Sequence, residues 1–202
     1  MLATRSTQRK QGKCYDYKNP HRMYYMAFDY DTLKAFAPYG KDDILNGIVK
    51  YQIIIQDYGI YNHRLQMFMA QIAHESDGFR TTTEYSSGES YEGRKDLGNL
   101  NPGDGPRFKG RGLIQLTGRH NYEVFSKILG KPLINYPESV AGFPLALEVS
   151  CLYWRQKDLN RYADKGDFET ITKRINGGLN GYEQRLEYLE KAIDIWTGMN
   201  NT

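Results

Sequence analysis

Residues 63–76 constrain the fold most, because their pattern is that of an amphipathic helix. The segment contains no proline and no glycine, and its apolar side chains recur at helical spacing. Asn62 before it is a favourable N-cap residue, and Gly78 after it is a typical stop. The apolar side chains of this segment are Leu65, Phe68, Met69 and Ile72. We expect the face that carries them to be buried.

Helical patterns also occupy most of the remaining chain, with Thr117 and Asp167 as candidate caps and Gly130 as a stop. The predicted helices lie near 43–57, 118–129, 144–157, 168–176 and 181–197, and the last has Leu186, Leu189, Ile193 and Trp196 on one stripe. Residues 80–112 differ, because they contain seven glycines and begin with three threonines, which favour extended backbone. The predicted fold is therefore mainly α, an α+β fold with a small β excursion between the second and third helices.

The N-terminal part of the chain differs from the rest in composition. Residues 1–40 are polar and tyrosine-rich, and residues 1–22 carry a net charge of +5, whereas the remainder carries −2. We interpret residues 1–40 as an extension and residues 41–202 as the main domain. The basic segment could contact an anionic surface, such as a bacterial envelope polymer, lipid or nucleic acid, or could only be a solubilising tail. No nucleic-acid recognition motif accompanies it.

Several classes of protein are disfavoured by the sequence. No apolar run typical of a signal peptide or a membrane span is present. The cysteines, Cys14 and Cys151, form no spaced motif, and whether they pair stays open. His74 and Glu75 begin like a zinc-protease motif, but Gly78 stands where the second histidine would be. We therefore predict neither a metal nor an organic cofactor.

Two carboxylates in different settings suggest acid–base chemistry. Glu75 follows the apolar stripe in the last turn of its helix, where an apolar wall and the negative helix end disfavour a charge. Glu84 lies in a polar segment that keeps it ionised, with Glu89 and Glu92 as competitors for its role. A protonated and an ionised carboxyl are what hydrolysis of a glycosidic bond requires. Each could also be an ordinary surface charge.

Three motifs resemble those of glycoside hydrolase family 19, which contains chitinases and phage or bacterial peptidoglycan hydrolases. They are Ala73–Phe79, Phe108–Thr117 and Ile175–Gly178, and the resemblance covers roughly residues 42–195. It implies a lysozyme-like fold, an active-site cleft between helical lobes, and an inverting mechanism.

The resemblance also implies roles for individual residues. Glu75 matches the general acid, Glu84 the general base, and Thr117 the residue that helps to hold the attacking water. The implied substrate-binding residues are Gln115, Asn121, Tyr122, Asn176, Arg185 and Arg111. Arg111 could instead be a structural ion-pair partner.

These observations favour a monomeric endolysin-type glycosidase that cleaves the β-1,4-linked glycan strand of peptidoglycan. It would be made in the bacterial cytoplasm and reach the cell wall by holin-like release or through another export system. A chitinase is the enzymatic alternative. A glycan-binding module on a hydrolase fold is the non-enzymatic one.

Overall fold

The computed structural model describes residues 28–198, together with the backbone of two short strands before them. Strands β1 (Lys13–Tyr15) and β2 (Met23–Tyr25) form an antiparallel pair in which Cys14 faces Tyr24 across the ladder. The predictions on the basic side chains of residues 1–22 and on the Cys14 thiol lie outside the described residues.

The prediction of a mainly α fold is confirmed, since helices make up most of the described chain. They are α1 (Tyr30–Phe36), α2 (Asp42–Tyr51), α3 (Ile53–Asp57), α4 (His63–Glu75), α5 (Asp104–Arg107), α6 (Arg119–Leu129), α7 (Leu145–Gln156), α8 (Asn160–Ala163), α9 (Phe168–Asn176) and α10 (Tyr182–Gly198). Short 3-10 turns lie at Glu89–Tyr91, Lys95–Leu97 and Pro137–Ala141.

Helix α4 is the central element and buries the apolar face that its sequence predicts. Its side chains pack against α10 along their length and against α7 at Phe68, whose ring meets Trp154 edge-on at 5.4 Å between centroids. The helix ends as expected, because the Gly78 N–H donates to the Ala73 carbonyl at 2.7 Å with Gly78 at φ +66°. Asn62 is the N-cap residue, but its side chain makes no capping hydrogen bond.

Helix α1 belongs to the same core, although it precedes the predicted domain boundary at residue 40. Leu33 and Phe36 are fully buried, and the Phe36 ring lies 5.1 Å from that of Trp196 in α10. The interpretation of residues 1–40 as an irregular extension is therefore wrong from Phe28 onward, because these apolar side chains complete the core. For residues before Phe28 it stays a prediction.

Three local predictions need correction. The helix expected near 43–57 is two helices that meet at Gln52, whose side-chain amide bonds the backbone of Phe28. Thr117 does not cap α6, because its hydroxyl donates to the Gln115 carbonyl at 2.9 Å and Gly118 is the N-cap residue. Ile193 is 43% exposed and does not belong to the buried stripe of α10. The Asp167 cap of α9 is confirmed, since its side chain accepts from the Thr170 N–H.

The glycine-rich segment 80–112 contains single bridges and no regular strand. Thr83 bridges to Arg111, and the Glu84 N–H donates to the Gly110 carbonyl at 3.0 Å. The extended run cannot continue, because Gly112 and Gln115 turn the chain with φ of +77° and +56°. These bonds hold the loop that carries Glu84 beside the loop that carries Thr117.

Candidate active site

The two carboxylates singled out in the sequence line the same cleft. This cleft has a volume of about 680 Å³ and also contains Thr117, Gln115 and Asn121 on its wall. Glu75 enters it from the end of α4, and Glu84 enters it from the glycine-rich loop. Two carboxylates that line one open cleft are the arrangement that acid–base hydrolysis of a bound substrate requires.

Glu84 is held by backbone and leaves one oxygen without a bond. Its Oε2 accepts a hydrogen bond from the Gly110 N–H at 2.7 Å. Its Oε1 is buried and accepts no hydrogen bond from any described protein group. Tyr91 borders the same carboxylate, and its pKa is raised by burial and by the negative charge of Glu84. A buried carboxylate oxygen needs a donor, and the neighbouring Tyr91 hydroxyl is a group that can supply one.

Three polar atoms converge on Gly110, where no side chain separates them. A Cβ atom on Gly110 would lie 2.7 Å from Glu84 Oε2, 2.9 Å from Gln115 Oε1 and 3.3 Å from Thr117 Oγ1. Gln115 also has a left-handed backbone, with φ of +56°, which costs free energy in a non-glycine residue. The absence of a Cβ at Gly110 lets the carboxylate, the amide and the hydroxyl share one small space.

Glu75 is paired with a buried arginine that the sequence placed in the substrate cleft. Arg185 of α10 is 1% exposed, and its Nη2 donates to Glu75 Oε1 at 2.5 Å. Its other terminal nitrogen donates to Gln71. Arg185 therefore contacts the carboxylate from behind and does not line the cleft, so its prediction as a substrate-binding residue is wrong. The apolar wall predicted around Glu75 is incomplete, because it contains this guanidinium.

His74 and Tyr153 complete the surroundings of Glu75. The pKa of His74 is lowered by burial and by the charge of Arg185. The His74 ring packs directly under Gly181, which has a positive φ, and a Cβ there would collide with the ring. Burial, with a smaller effect from the charge of Glu75, raises the pKa of Tyr153 to about 12.

Asn121 and Asn176 lie where the resemblance implies, on the wall of the cleft. Asn121 Nδ2 donates to the Thr117 carbonyl at 2.7 Å, which fixes the start of α6 against the loop that carries Thr117. Asn176 is the last residue of α9 and leads into the turn at Gly177. Both side chains are part exposed and have polar atoms available for a ligand.

Tyr122 does not line the cleft, and its prediction as a substrate-binding residue is wrong because the side chain is buried. Arg111 does not line the cleft either, and its substrate-binding role stays a prediction. Tyr122 is fully buried and its hydroxyl donates to the Lys109 carbonyl at 3.1 Å. Arg111 Nη1 donates to the Arg107 carbonyl at 2.9 Å and to the Tyr122 hydroxyl at 3.2 Å. The two side chains satisfy backbone carbonyls beneath the loop and so support it.

The competitors of Glu84 lie elsewhere. Glu92 accepts from the Gly103 and Gly105 N–H groups at 2.6 and 2.8 Å, which is a structural use of the carboxylate. Glu89 is exposed and does not line the cleft.

The sequence did not single out several side chains that line the cleft. They are Tyr85, Tyr91, Arg94, Leu97, Ile114, Tyr153 and Ile175. The high tyrosine count of 17 was the one available signal, but it does not say which rings are in the cleft. In the part of the chain that the structure describes, no group of three or more histidine, cysteine, aspartate or glutamate side chains could hold a metal ion. Nor does any described helix have the length and apolar character needed to cross a membrane.

The fold is similar to those of solved family 19 chitinases. Chitinase C from Streptomyces griseus superposes with a TM-score of 0.70 at 17% identity, covering 85% of this chain and 77% of that one. A bacterial family 19 chitinase superposes with a TM-score of 0.70 at 16% identity, covering 83% of this chain and 94% of that one. At such identities the likeness shows the lysozyme-like helical fold alone.

Sequence comparison identifies the family. No family model matches the chain. A glycosyl hydrolase family 19 domain-containing protein of Haemophilus influenzae is 35% identical over an alignment of 181 residues. The match covers 72% of this chain and 88% of that protein. An endochitinase of Arabidopsis thaliana is 32% identical over 120 residues, and the match covers 59% of this chain and 41% of the plant protein. The chain therefore belongs to glycoside hydrolase family 19, a family of glycosidases.

Proposed function

We propose that this protein hydrolyses the β-1,4-linked, N-acetylated glycan strand of bacterial peptidoglycan. The observation that carries the proposal is the shared cleft, which both Glu75 and Glu84 line. Neither carboxylate alone would support a hydrolase, since the reaction needs one proton donor and one proton acceptor.

The proposed mechanism is inverting and uses both carboxylates once. Glu75 donates its proton to the glycosidic oxygen as the bond to the anomeric carbon breaks. Glu84 accepts a proton from a water, and that water attacks the anomeric carbon from the opposite face. Thr117 orients the water by accepting a hydrogen bond from it, because the one hydroxyl hydrogen is donated to the Gln115 carbonyl. An inverting pair requires a separation of ~6.5–9.5 Å, which leaves room for the water.

Two properties of the chain favour peptidoglycan over chitin, namely its basic N-terminal segment and the extent of its match to a bacterial relative. Residues 1–22 carry a net charge of +5, which suits the anionic polymers of a bacterial envelope. The similarity to the Haemophilus protein extends over 88% of that protein, whereas the matched plant endochitinase is covered over 41%. We further propose that the protein acts at the cell wall as a monomer, after holin-like release or export by another system from the bacterial cytoplasm.

A chitinase is the second candidate, and the names of the relatives favour it. The plant relative is an endochitinase, and the solved structures of similar fold are chitinases. Chitin has the same β-1,4 linkage and N-acetyl groups, so the same acid and base would serve.

Two assays on the purified protein separate the candidates. The first measures clearing of permeabilised Gram-negative cells, and the second measures reducing ends released from chitin. We expect clearing to be the stronger activity. Degradation of chitin without clearing would reverse the ranking. Mass spectrometry of the fragments from purified sacculi would name the bond by its reducing-end sugar.

Carboxylate substitutions test the assigned roles. We expect Glu75→Gln and Glu84→Gln each to lose about 10²–10⁴-fold in kcat, the range that general acid–base catalysis contributes. Glu89→Gln is the matched control and should stay active, because Glu89 does not line the cleft. An inactive Glu89→Gln variant would show that the base is wrongly assigned. A wild type that binds glycan but releases no product, with Glu75→Gln binding equally well, would instead indicate a binding module.

A further inference from the structure

A buried polar chain connects the proposed acid to helix α9. Thr172 of α9 accepts a hydrogen bond from Gln71 Nε2 at 2.8 Å. Gln71 Oε1 accepts from Arg185, and Arg185 donates to Glu75. Thr172, Gln71 and Arg185 are 0%, 0% and 1% exposed, so water does not compete for these bonds.

The chemistry of the partners determines which way the Gln71 amide points. A guanidinium has only donors, so it must face the amide oxygen. The amide NH₂ then points away from Arg185, towards an acceptor, and the Thr172 hydroxyl is that acceptor. Without Thr172, the NH₂ group would be buried and unsatisfied, and the amide would lose the contact that holds its orientation.

Gln71 lies one helical turn before Glu75, so Arg185 spans two positions on the same face of α4. One position offers a neutral oxygen, and the other offers the carboxylate. Because the amide accepts without adding a charge, the positive charge of Arg185 is directed at Glu75 alone. A carboxylate at position 71 would share that charge and place a second negative group beside the acid.

We propose that Gln71 and Thr172 are positioning residues that orient Arg185, and through it Glu75, for proton donation to the glycosidic oxygen. This inference rests on the proposed function, since it assigns the two residues to the same reaction. Neither side chain lines the cleft, so they act on the orientation of Glu75 and not on substrate contacts.

Thr172→Val and Thr172→Ser form the matched pair that tests the proposal. Valine keeps the branched shape and removes the hydroxyl, whereas serine keeps the hydroxyl. We expect Thr172→Val to lower kcat by about tenfold to a hundredfold with little change in KM, since a displaced catalytic group costs rate at that scale. Thr172→Ser should restore kcat. A folded Thr172→Val variant with wild-type kcat overturns the proposal.

Gln71→Glu gives a readout that a purely structural role would not change. The added negative charge makes Glu75 harder to deprotonate, so the alkaline limb of the pH profile of kcat/KM should move to higher pH. An active, folded variant with an unshifted alkaline limb contradicts the proposal. Should Gln71→Glu not fold, the Thr172 pair decides alone.

Proton exchange at the Arg185 guanidinium, followed by NMR on ¹⁵N-arginine protein, separates this inference from the proposed function. We expect slow exchange in the wild type and Thr172→Ser, and faster exchange in Thr172→Val. If the wild type cleaves neither peptidoglycan nor chitin, the proposed function fails and the catalytic role of Gln71 fails with it, even where exchange responds as expected. If the wild type cleaves glycan and Thr172→Val matches it in both exchange and kcat, this inference alone is wrong.

Discussion

Gly110→Ala is the substitution whose effect on the site can be worked out most directly from the structure. The new methyl carbon would lie 2.7 Å from Glu84 Oε2, and ordinary contact begins at 3.4 Å. The carboxylate oxygen must therefore retreat by about 0.7 Å, because the methyl group is fixed to the backbone. Gln115 Oε1, at 2.9 Å, must move in the same way.

A displacement of this size has a large catalytic cost. Misplacing a reacting group by ~1 Å costs about 10²-fold in rate, so we expect Gly110→Ala to lose about 10- to 100-fold in kcat. The fold should survive, because Gly110 does not have a positive φ and alanine can adopt its backbone conformation. The loss should thus appear in the kinetics and not in the melting temperature.

Initial rates on the polymer that the wild type cleaves, with melting curves beside them, measure this effect. Gly142→Ala is the matched control, since its φ is −95° and the nearest atom to a new Cβ is 3.6 Å away. Gly142 does not line the cleft. A Gly110→Ala variant as active as Gly142→Ala would refute the view that the three polar atoms act together beside Gly110.

The remaining predictions concern stability and the basic segment. Burial and the positive charge of Arg185 keep the pKa of His74 below 6.5 in the folded state. As the pH falls, the His74 side chain therefore becomes protonated in the unfolded chain before it does so in the folded protein. Stability should therefore fall below about pH 6.5, and the melting temperature of His74→Gln should fall less over the same interval. Phe36→Ala should lower the free energy of unfolding by about 3–5 kcal/mol in urea, because the ring is fully buried. Tyr39→Ala, three residues on and 85% exposed, should have little effect, and equal effects would contradict the packing of α1. Deleting residues 1–22 should reduce activity on whole envelopes more than on soluble fragments, and an equal loss on both would argue against an envelope anchor.

Helix positions were predictable from the sequence where the signal is local. The apolar spacing of α4, the Asp167 cap of α9 and the glycines after α6 and α9 depend on neighbours within one or two turns. Predictions failed where another contact competed, either two residues away or across the core. Thr117 bonds the Gln115 carbonyl in the turn before α6, and Gln52 bonds Phe28 across the core, so each helix begins or breaks elsewhere than its local pattern indicates.

The residues predicted for the cleft likewise divide into those that the sequence placed correctly and those that it did not. The family resemblance pointed to Glu75, Glu84, Thr117 and Gln115. In the structure these four side chains line one cleft. The roles of Arg111 and Tyr122 were not predictable, because residue type does not distinguish a side chain that bonds a ligand from one that bonds a nearby backbone carbonyl.

The sequence alone indicated the mainly helical fold and the pair of carboxylates, through local spacing and through the family resemblance that three short motifs carry. Only the tertiary structure decided what stands behind each carboxylate. Arg185 reaches Glu75 across 110 residues, and the Gly110 N–H reaches Glu84 across 26. The packing of α4 against α10 brings the first pair together, and the contact between the loops that carry Glu84 and Gly110 brings the second pair together. No local pattern along the chain predicts which of these residues will meet.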